Sequence, residues 1–409
     1  MWTLSIWMGT ALASTTTLAP PNGGDVRQVS LTVDGSGHVF LTADVWSSSN
    51  QPELWGVGWD GTTWGTPQVL NSELDPYPVD FYSPSPAIAD DTASPLHVLS
   101  HFTSSSATNF QELVVNRALT SVSNDTGVAN DNPLVDAGHG VLAFHPDGQR
   151  LDACWTEGTY NNGDTYGNTR DTGGPWGSTA TAFSAGPADE DHCTLAYAPG
   201  TTSDPIVAWH DTTSLKVNGG GATVTLTQAD SDPLNWPALA VTQDGSSHDV
   251  LHLVGWKDED SSHLRPERLV YWTCTPATAT NHCQDTADWG TDAKVIEEDA
   301  QHPMMVSDAA GNLFVSYLDH ATHHVNVVAR CKSSGTWGSA VEVDGTAGNE
   351  ALSVTDTGVA INSHVPISNI VYDAANDTVR VAFLQSDGTP AKNWVIAIAS
   401  ATVGTLCPP

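Results

Sequence analysis

The stretch Pro303-Met-Met-Val-Ser-Asp-Ala-Ala-Gly-Asn-Leu-Phe-Val-Ser-Tyr-Leu-Asp319 contains two short β-runs joined by an Asp/Gly turn. Its second half alternates apolar and polar side chains over part of its length, which is typical of a strand that presents one face to each neighbouring sheet. A related stretch, Pro237-Ala-Leu-Ala-Val-Thr-Gln-Asp-Gly245, occurs earlier in the chain. The pattern therefore predicts a hairpin that is repeated along the sequence.

The repeated turn occurs seven times, at intervals of about 45 to 65 residues. The copies are Val33-Asp34-Gly35, Ala89-Asp90-Asp91, Pro146-Asp147-Gly148, Ala198-Pro199-Gly200, Gln243-Asp244-Gly245, Ser307-Asp308 and Tyr372-Asp373. Four units also carry an aromatic landmark after a later hairpin, namely Trp64-Gly-Thr66, Trp176-Gly-Ser178, Trp289-Gly-Thr291 and Trp337-Gly-Ser339. Each unit thus contains four short strands, A to D. Because such a unit buries its two faces only against neighbours, the sequence predicts an all-β fold, a seven-bladed β-propeller of four-stranded antiparallel blades.

The seventh unit reaches its C strand at Asn393-Trp-Val-Ile-Ala-Ile-Ala-Ser400 and then nearly ends. Its fourth strand comes either from Thr15–Pro20 or from Thr402–Cys407, and the first choice pairs the two ends of the chain. Residues 1–13 resemble the apolar part of a signal peptide, ending in the small-residue pattern Ala11-Leu-Ala13, although no Lys or Arg precedes it. We therefore expect a leader at 1–13, one propeller domain at 14–409, and a secreted, extracellular or periplasmic protein.

The composition narrows the range of partners. Lys and Arg number 13 against 47 Asp and Glu, which gives a formal net charge of −34. Nucleic acid and anionic membranes are poor partners for such a surface, and no segment after the leader is long and apolar enough for membrane insertion. The charge is explained by solubility, or alternatively by cation binding.

Six cysteines fit an oxidising compartment, and they allow fifteen pairings. The blade assignment favours Cys154–Cys193 between adjacent blades, Cys274–Cys283 across one hairpin, and Cys331–Cys407 at the C-terminus.

One hairpin carries a family motif. Thr169-Arg-Asp171-Thr-Gly173-Gly-Pro-Trp176 resembles the Asp-box (BNR repeat) of the sialidase-like β-propellers, Ser/Thr-x-Asp-x-Gly-x-x-Trp, with Pro175 in place of the usual hydroxyl residue. Trp59-Asp60-Gly61-Thr-Thr-Trp64 and Ser334-Gly335-Thr-Trp337 are less complete versions. In that family the box is a folding device remote from the active site, so the resemblance implies the fold and not an activity.

Histidine and acidic residues are concentrated where the B–C and D–A loops of a propeller open around the central channel. His139, His192, Trp236 and His302 stand at the starts of A strands, whereas His101, Glu157, His210 with Asp211, Lys257 with Asp258, and Asp319 with His320 stand at the ends of B strands. Ligand pockets are concave and use a few convergent polar groups. The sequence therefore predicts a ligand site at this mouth, and the alternative is that each residue only satisfies local backbone groups.

Three functions fit this pocket. The first is a glycan-binding propeller that recognises a polysaccharide or surface sugar. The second is a carbohydrate-active enzyme similar to propeller polysaccharide lyases, for which the resemblance implies His302, His320, Tyr317 and Arg265 as catalytic candidates acting on a uronate. The third is a metal centre holding Ca²⁺ or Zn²⁺. Sialidase activity is disfavoured because three arginines do not fall at suitable blade positions. No pattern indicates an oligomeric state or a specific cofactor.

Overall fold

A computed structural model describes most of the chain. The described residues are 14–19, 24–47, 52–71, 85–89, 94–104, 107–125, 137–159, 162–177, 180–184, 190–197, 204–219, 223–227, 234–244, 249–257, 267–274, 283, 286–289, 294–319, 321–322, 324–343, 368–386 and 394–408.

These residues form seven antiparallel sheets. The strand β1 (Ser14–Leu18) precedes the first complete blade. Blade 1 consists of β2 (Gly24–Val33), β3 (Val39–Ser47), β4 (Pro52–Trp59) and β5 (Gln68–Asn71). Blade 2 consists of β6 (Ser85–Ile88), β7 (Leu96–Ser104), β8 (Ala107–Val115) and β9 (Val122–Asp125). Blade 3 consists of β10 (Ala137–Phe144), β11 (Arg150–Thr159), β12 (Asn162–Asp171) and β13 (Thr181–Ala182).

The remaining blades follow the same order. Blade 4 consists of β14 (Glu190–Ala196), β15 (Ile206–Asp211), β16 (Ser214–Asn218) and β17 (Val224–Leu226). Blade 5 consists of β18 (Leu234–Gln243), β19 (Asp249–Lys257), β20 (Arg268–Cys274) and β21 (Lys294–Glu298), with a 3-10 turn at Thr286–Asp288. Blade 6 consists of β22 (Ala300–Ser307), β23 (Leu313–Asp319), β24 (Val325–Cys331) and β25 (Thr336–Trp337), and β26 (Val341–Glu342) also pairs with β24. Blade 7 contains β27 (Ser368–Asp373), β28 (Thr378–Ser386) and β29 (Trp394–Thr402), followed by the short helix α1 (Val403–Leu406).

The blades close into a ring around their A strands. The first strand of each blade contacts the first strand of the next blade, so these strands surround the central axis. In the sequence, each of the seven repeated turns comes at or just after the end of strand A and before strand B, and the seven sheets confirm the predicted seven-bladed propeller. We call the end that carries these turns, such as Asp34–His38 and Asp308–Asn312, the turn face. The opposite end, with the starts of A strands such as His302 and the ends of B strands such as Asp319, is the mouth face.

The N-terminal strand closes the ring. β1 pairs antiparallel with β29, from Ser14 opposite Ser400 to Leu18 opposite Ile396, and becomes the fourth strand of blade 7. The other source considered for this strand, Thr402–Cys407, instead forms the turn into α1. Residues 1–13 lie outside the described residues, so the leader at 1–13 and the domain boundary stay predictions.

Disulfides link the ring at three places. Cys154 bonds to Cys193, Cys274 to Cys283, and Cys331 to Cys407. All three predicted pairings are therefore confirmed. The first joins the B strand of blade 3 to the A strand of blade 4, and the last fixes the chain after α1 to the C strand of blade 6.

A buried polar cluster joins blade 2 to blade 3. Glu112 on β8 has no exposed surface, and its Oε1 contacts both Arg170 Nη2 and His97 Nδ1. The indole of Trp176, the tryptophan of the hairpin that resembles an Asp-box, donates a hydrogen bond of 2.8 Å to the other carboxylate oxygen. We call these four residues the blade 2–3 latch. The guanidinium of Arg170 and the carboxylate of Glu112 are both buried, so each charge depends on its partner.

A second buried polar group lies between blades 5 and 6. His252 Nε2 is 2.8 Å from Thr242 Oγ1, and its Nδ1 is 2.7 Å from the hydroxyl of Tyr271. Burial, with a smaller contribution from the positive charge of Arg330, lowers the pKa of His252 from 6.5 to about 3.

This lowered pKa predicts how acid destabilises the fold. Between pH 6.5 and about 3 the unfolded chain binds a proton at His252 that the folded chain does not. His252 therefore leaves the free energy of unfolding at its full value above pH 6.5. Below pH 6.5, the proton bound by the unfolded chain lowers that free energy by about 1.4 kcal/mol per pH unit. We expect the imidazole resonances of His252 to remain those of the neutral ring down to pH 4, as followed by NMR titration. A titration midpoint near 6.5 in the folded protein would contradict this assignment.

Candidate functional site

The A strands carry β-bulges near their starts, at the mouth face. Pairing shifts in register in five blades, between Val26 and Gln28, Gly138 and Gly140, Asp191 and Thr194, Asn235 and Ala238, and Gln301 and Met304. A bulge bends its strand and re-aims a side chain, and bulges are frequent beside active sites. Of the predicted site residues, His139, His192, Trp236 and His302 all fall inside these bulges.

Three of the bulges hold a non-glycine residue in the left-handed region. The φ angles are 51° at His192, 52° at Trp236 and 50° at His302. Bulky residues are rare there, and each such conformation costs about 1–3 kcal/mol. The same strain at the same position of three successive blades indicates a constraint beyond packing, since strained backbone clusters at functional sites.

The three strained residues touch through their rings. The ring centroids of His192 and Trp236 are 3.8 Å apart, and those of Trp236 and His302 are 4.4 Å apart in an edge-on arrangement. Trp256, at the end of a B strand, lies 5.1 Å from His302. We call these four residues the ring cluster. His192, Trp236 and His302 are buried, with 6%, 3% and 1% of their surface exposed.

Covalent and polar links hold the ring cluster from neighbouring blades. His192 is followed by Cys193, whose disulfide anchors the bulge to blade 3. The segment before His302 is held by Glu267 of blade 5, whose backbone carbonyl accepts from Ala300 N–H at 3.1 Å and whose carboxylate accepts from the amide of Gln301. Such supporting contacts fix the orientation of site side chains.

The Trp256 indole of the ring cluster carries a buried donor. Its Nε1 is buried and has no hydrogen-bond partner among the described residues. Leaving a buried donor unsatisfied costs about 1–3 kcal/mol, and a bound oxygen recovers that cost.

The predicted site residues at the ends of the B strands differ in burial and in the residues that they contact. His210 is buried and pairs across strands with Asp191 and Leu215. Asp211 forms an ion pair of 2.9 Å with Lys216. Lys257 has no exposed surface and lies opposite Leu234 and Arg268 in the sheet.

Asp319 closes the turn that follows its strand. Its carboxylate accepts the N–H groups of Ala321 and Thr322, both at 2.9 Å. This is the local hydrogen-bonding role that the sequence left open as the alternative to ligand binding.

Two titratable groups near Asp319 are perturbed. Burial and the negative charge of Asp319 raise the pKa of Glu297, at the end of β21. Tyr317 is packed in the apolar core between blades 5 and 6, and burial raises the pKa of its hydroxyl. A phenol that keeps its proton cannot act as a base, so this environment suits proton donation at most.

Six of the predicted site residues lie outside the described residues or are placed only by their strand. Arg265, Asp258 and His320 lie outside the described residues. His101, His139 and Glu157 belong to β7, β10 and β11, and only their strand positions are described. Among the residues that the structure describes, no group of three or more His, Cys, Asp or Glu side chains is placed to hold a metal ion.

Comparison with solved structures identifies the fold. An α-L-arabinofuranosidase from Fusarium graminearum superposes with a TM-score of 0.53 at 10% identity, over 97% of this chain and 99% of that one. The polysaccharide lyase Uly1 superposes with a TM-score of 0.55 at 11% identity, over 94% and 91%. The chain shares their propeller fold. At such low identity the likeness extends to the fold alone, and it agrees with the fold that the Asp-box resemblance implied. No protein-family model and no curated protein matches the sequence.

Proposed function

We propose that this chain is a carbohydrate-binding propeller and that the ring cluster is the floor of its glycan site. The observation that carries the proposal is the strained backbone of His192, Trp236 and His302, whose rings contact one another at one register of three successive blades. A rigid floor of rings with N–H donors at its edges matches a sugar, which presents an apolar C–H face and surrounding hydroxyls.

Other properties of the chain support this function. Two proteins with the same fold are an arabinofuranosidase and a polysaccharide lyase. The net charge of −34 disfavours nucleic acid as a ligand. Three disulfides are typical of an exported protein, so we propose that the chain acts outside the cytoplasm. None of the described helices has the length and apolarity needed to cross a bilayer.

The other mouth-face residues belong to the same proposal. We propose that His139, His210, Asp211, Lys257, Asp258, His101 and Glu157 contribute polar groups around the floor, and that Asp319, whose Oδ1 accepts both N–H groups of its turn, offers its second carboxylate oxygen there.

A glycan array tests this function. The purified protein is expected to bind at least one glycan, and Trp256→Phe is expected to weaken that binding about tenfold because it removes one N–H while keeping a ring. Trp337→Phe is the matched control, because its indole Nε1 is also buried without a hydrogen-bond partner among the described residues but lies in blade 6, near the turn face. Binding to no glycan, or equal losses in both variants, would overturn the proposal.

A carbohydrate-active enzyme is the second candidate, and Glu297 favours it. A carboxyl group whose pKa is raised beside a second carboxylate is a common arrangement for a general acid. In the lyase-like version, His302, His320, Tyr317 and Arg265 share the proton transfers and the neutralisation of a uronate. Incubation with uronate polymers, followed by absorbance of the unsaturated product, tests lyase action, and release of reducing ends from neutral polymers tests hydrolysis. Activity that survives Glu297→Gln unchanged would remove this residue from the candidate set.

A further inference from the structure

A concave site lies at the turn face, between blades 1 and 2. A groove of about 490 Å³ separates the C–D hairpin of blade 1 from that of blade 2. Its volume falls within the range of about 300–1,000 Å³ that is typical of small-molecule sites. The groove and the ring cluster lie at opposite faces of the propeller.

The wall from blade 1 is a rigid hairpin. The Asp60 carboxylate accepts the N–H groups of Thr63 and Thr62 at 2.8 and 2.9 Å, and the Thr62 hydroxyl at 2.8 Å. These bonds, led by that from Thr63, lower the pKa of Asp60 to about 2, so the carboxylate is ionised at neutral pH. The hairpin is one of the less complete Asp-box-like motifs, and here it shapes a groove.

The wall from blade 2 is equally constrained. Arg117 donates through Nε to the carbonyl of Ser94 at 2.8 Å and through Nη1 to Asp34, and it lies 5.7 Å above the ring of Phe40. Leu119, two residues on, is buried and has a φ of 57°. Rigid walls reduce the ordering cost of binding a ligand.

The floor is open because residue 58 has no side chain. A Cβ at Gly58 would meet only the Phe40 ring, at 3.7 and 3.8 Å, which are ordinary contact distances. A glycine within a strand often marks a close approach of a ligand or another backbone. The floor is thus apolar, formed by Gly58, Phe40 and Leu119, whereas His38, Asp60 and Gln68 provide hydrogen-bonding groups at the rim.

Charge narrows the ligand class. The positive charge of Arg117 is paired with Asp34, and Asp60 adds a negative charge at the rim. The chain as a whole carries a net charge of −34, so an anionic ligand is repelled. We propose that this groove binds a short neutral saccharide, with its C–H face on Phe40 and Leu119 and its hydroxyls toward His38, Asp60 and Gln68. The chain would then hold glycans at both faces.

Saturation-transfer NMR with defined sugars tests this site. The probes are L-arabinose, D-galactose and D-mannose, with D-glucuronate as the charged comparison. We expect the wild-type protein to bind at least one neutral sugar in preference to glucuronate, and Gly58→Val to reduce that binding more than tenfold because the new side chain fills the floor. Gln68→Ala is expected to weaken it less, since it removes one rim partner.

Two controls separate this site from the ring cluster and from misfolding. Val69→Thr changes the neighbouring strand outside the groove and should leave binding unchanged, whereas Trp256→Phe reports on binding at the mouth face. An unchanged thermal unfolding midpoint establishes that Gly58→Val is folded. The groove proposal is overturned if no neutral sugar binds, if glucuronate binds better, or if folded Gly58→Val binds like wild type. A loss caused only by Trp256→Phe would support the ring cluster and overturn the groove.

Discussion

Replacing Glu112 by glutamine is expected to lower the free energy of unfolding by about 3–5 kcal/mol. Glu112 has no exposed surface, and it is the common partner of Arg170, His97 and Trp176 in the blade 2–3 latch. Glutamine has nearly the same shape but no charge, so the guanidinium of Arg170 stays buried without a compensating carboxylate. Denaturant unfolding of the two proteins measures the difference.

A surface ion pair provides the control for Glu112. Asp204 contacts Arg150 at 3.4 Å, and 77% of its side chain is exposed. Asp204→Asn removes the same charge at a solvated site and should cost less than about 1 kcal/mol. If Glu112→Gln costs no more than Asp204→Asn, the latch does not hold blades 2 and 3 together.

Removal of the Cys154–Cys193 disulfide is expected to have a similarly large effect. The two cysteines are 39 residues apart in sequence, and a crosslink of that span stabilises a fold by about 4 kcal/mol in the chain-entropy estimate. The double variant Cys154→Ala/Cys193→Ala also frees the bulge that holds His192, so its glycan affinity should fall together with its stability. Thermal unfolding and the glycan array measure the two effects.

Cys331→Ala/Cys407→Ala is the matched control for this prediction. This disulfide spans 76 residues and fixes the C-terminus, so its removal should destabilise the fold at least as much. Since it lies far from the ring cluster along the blades, glycan affinity in the folded protein should stay at the wild-type value. Equal losses of affinity in both double variants would show that stability alone governs binding.

The fold could be predicted because its signals are local. Each Asp/Gly turn sets a hairpin, and seven copies define the blade count without knowledge of distant contacts. The disulfide pairings could be predicted from the same blade assignment, since Cys154 and Cys193 lie on facing strands of adjacent blades. The Trp-Gly landmarks were less accurate as strand markers: Trp64 and Trp289 form isolated bridges to the C strand, and the D strand begins several residues later.

The geometry of the site could be predicted only in part. The sequence indicated that His192, Trp236 and His302 occupy equivalent positions, but the bulges and positive φ angles depend on pairing with the B strand. The proline after Trp236 and after His302 restricts the preceding backbone and was the available signal for a local irregularity.

The blade 2–3 latch gave no sequence signal. Its members come from three strands and one hairpin of two blades, and no spacing connects Glu112 with Arg170 or Trp176. The support of His302 by Glu267 and Gln301 is likewise a contact between blades. Side-chain contacts of this kind form because the blades close into a ring, and no local sequence pattern indicates them.

The imidazole resonances of His192 and His302 provide the most direct test of the ring cluster as a glycan site. They are to be recorded by NMR with and without a saturating amount of the glycan that binds best on the array. Because both rings pack against Trp236, a sugar on this floor is predicted to shift both sets of resonances, whereas those of His252, buried between blades 5 and 6, stay unchanged. Saturating glycan that leaves His192 and His302 unshifted would contradict the assignment of the ring cluster as the site.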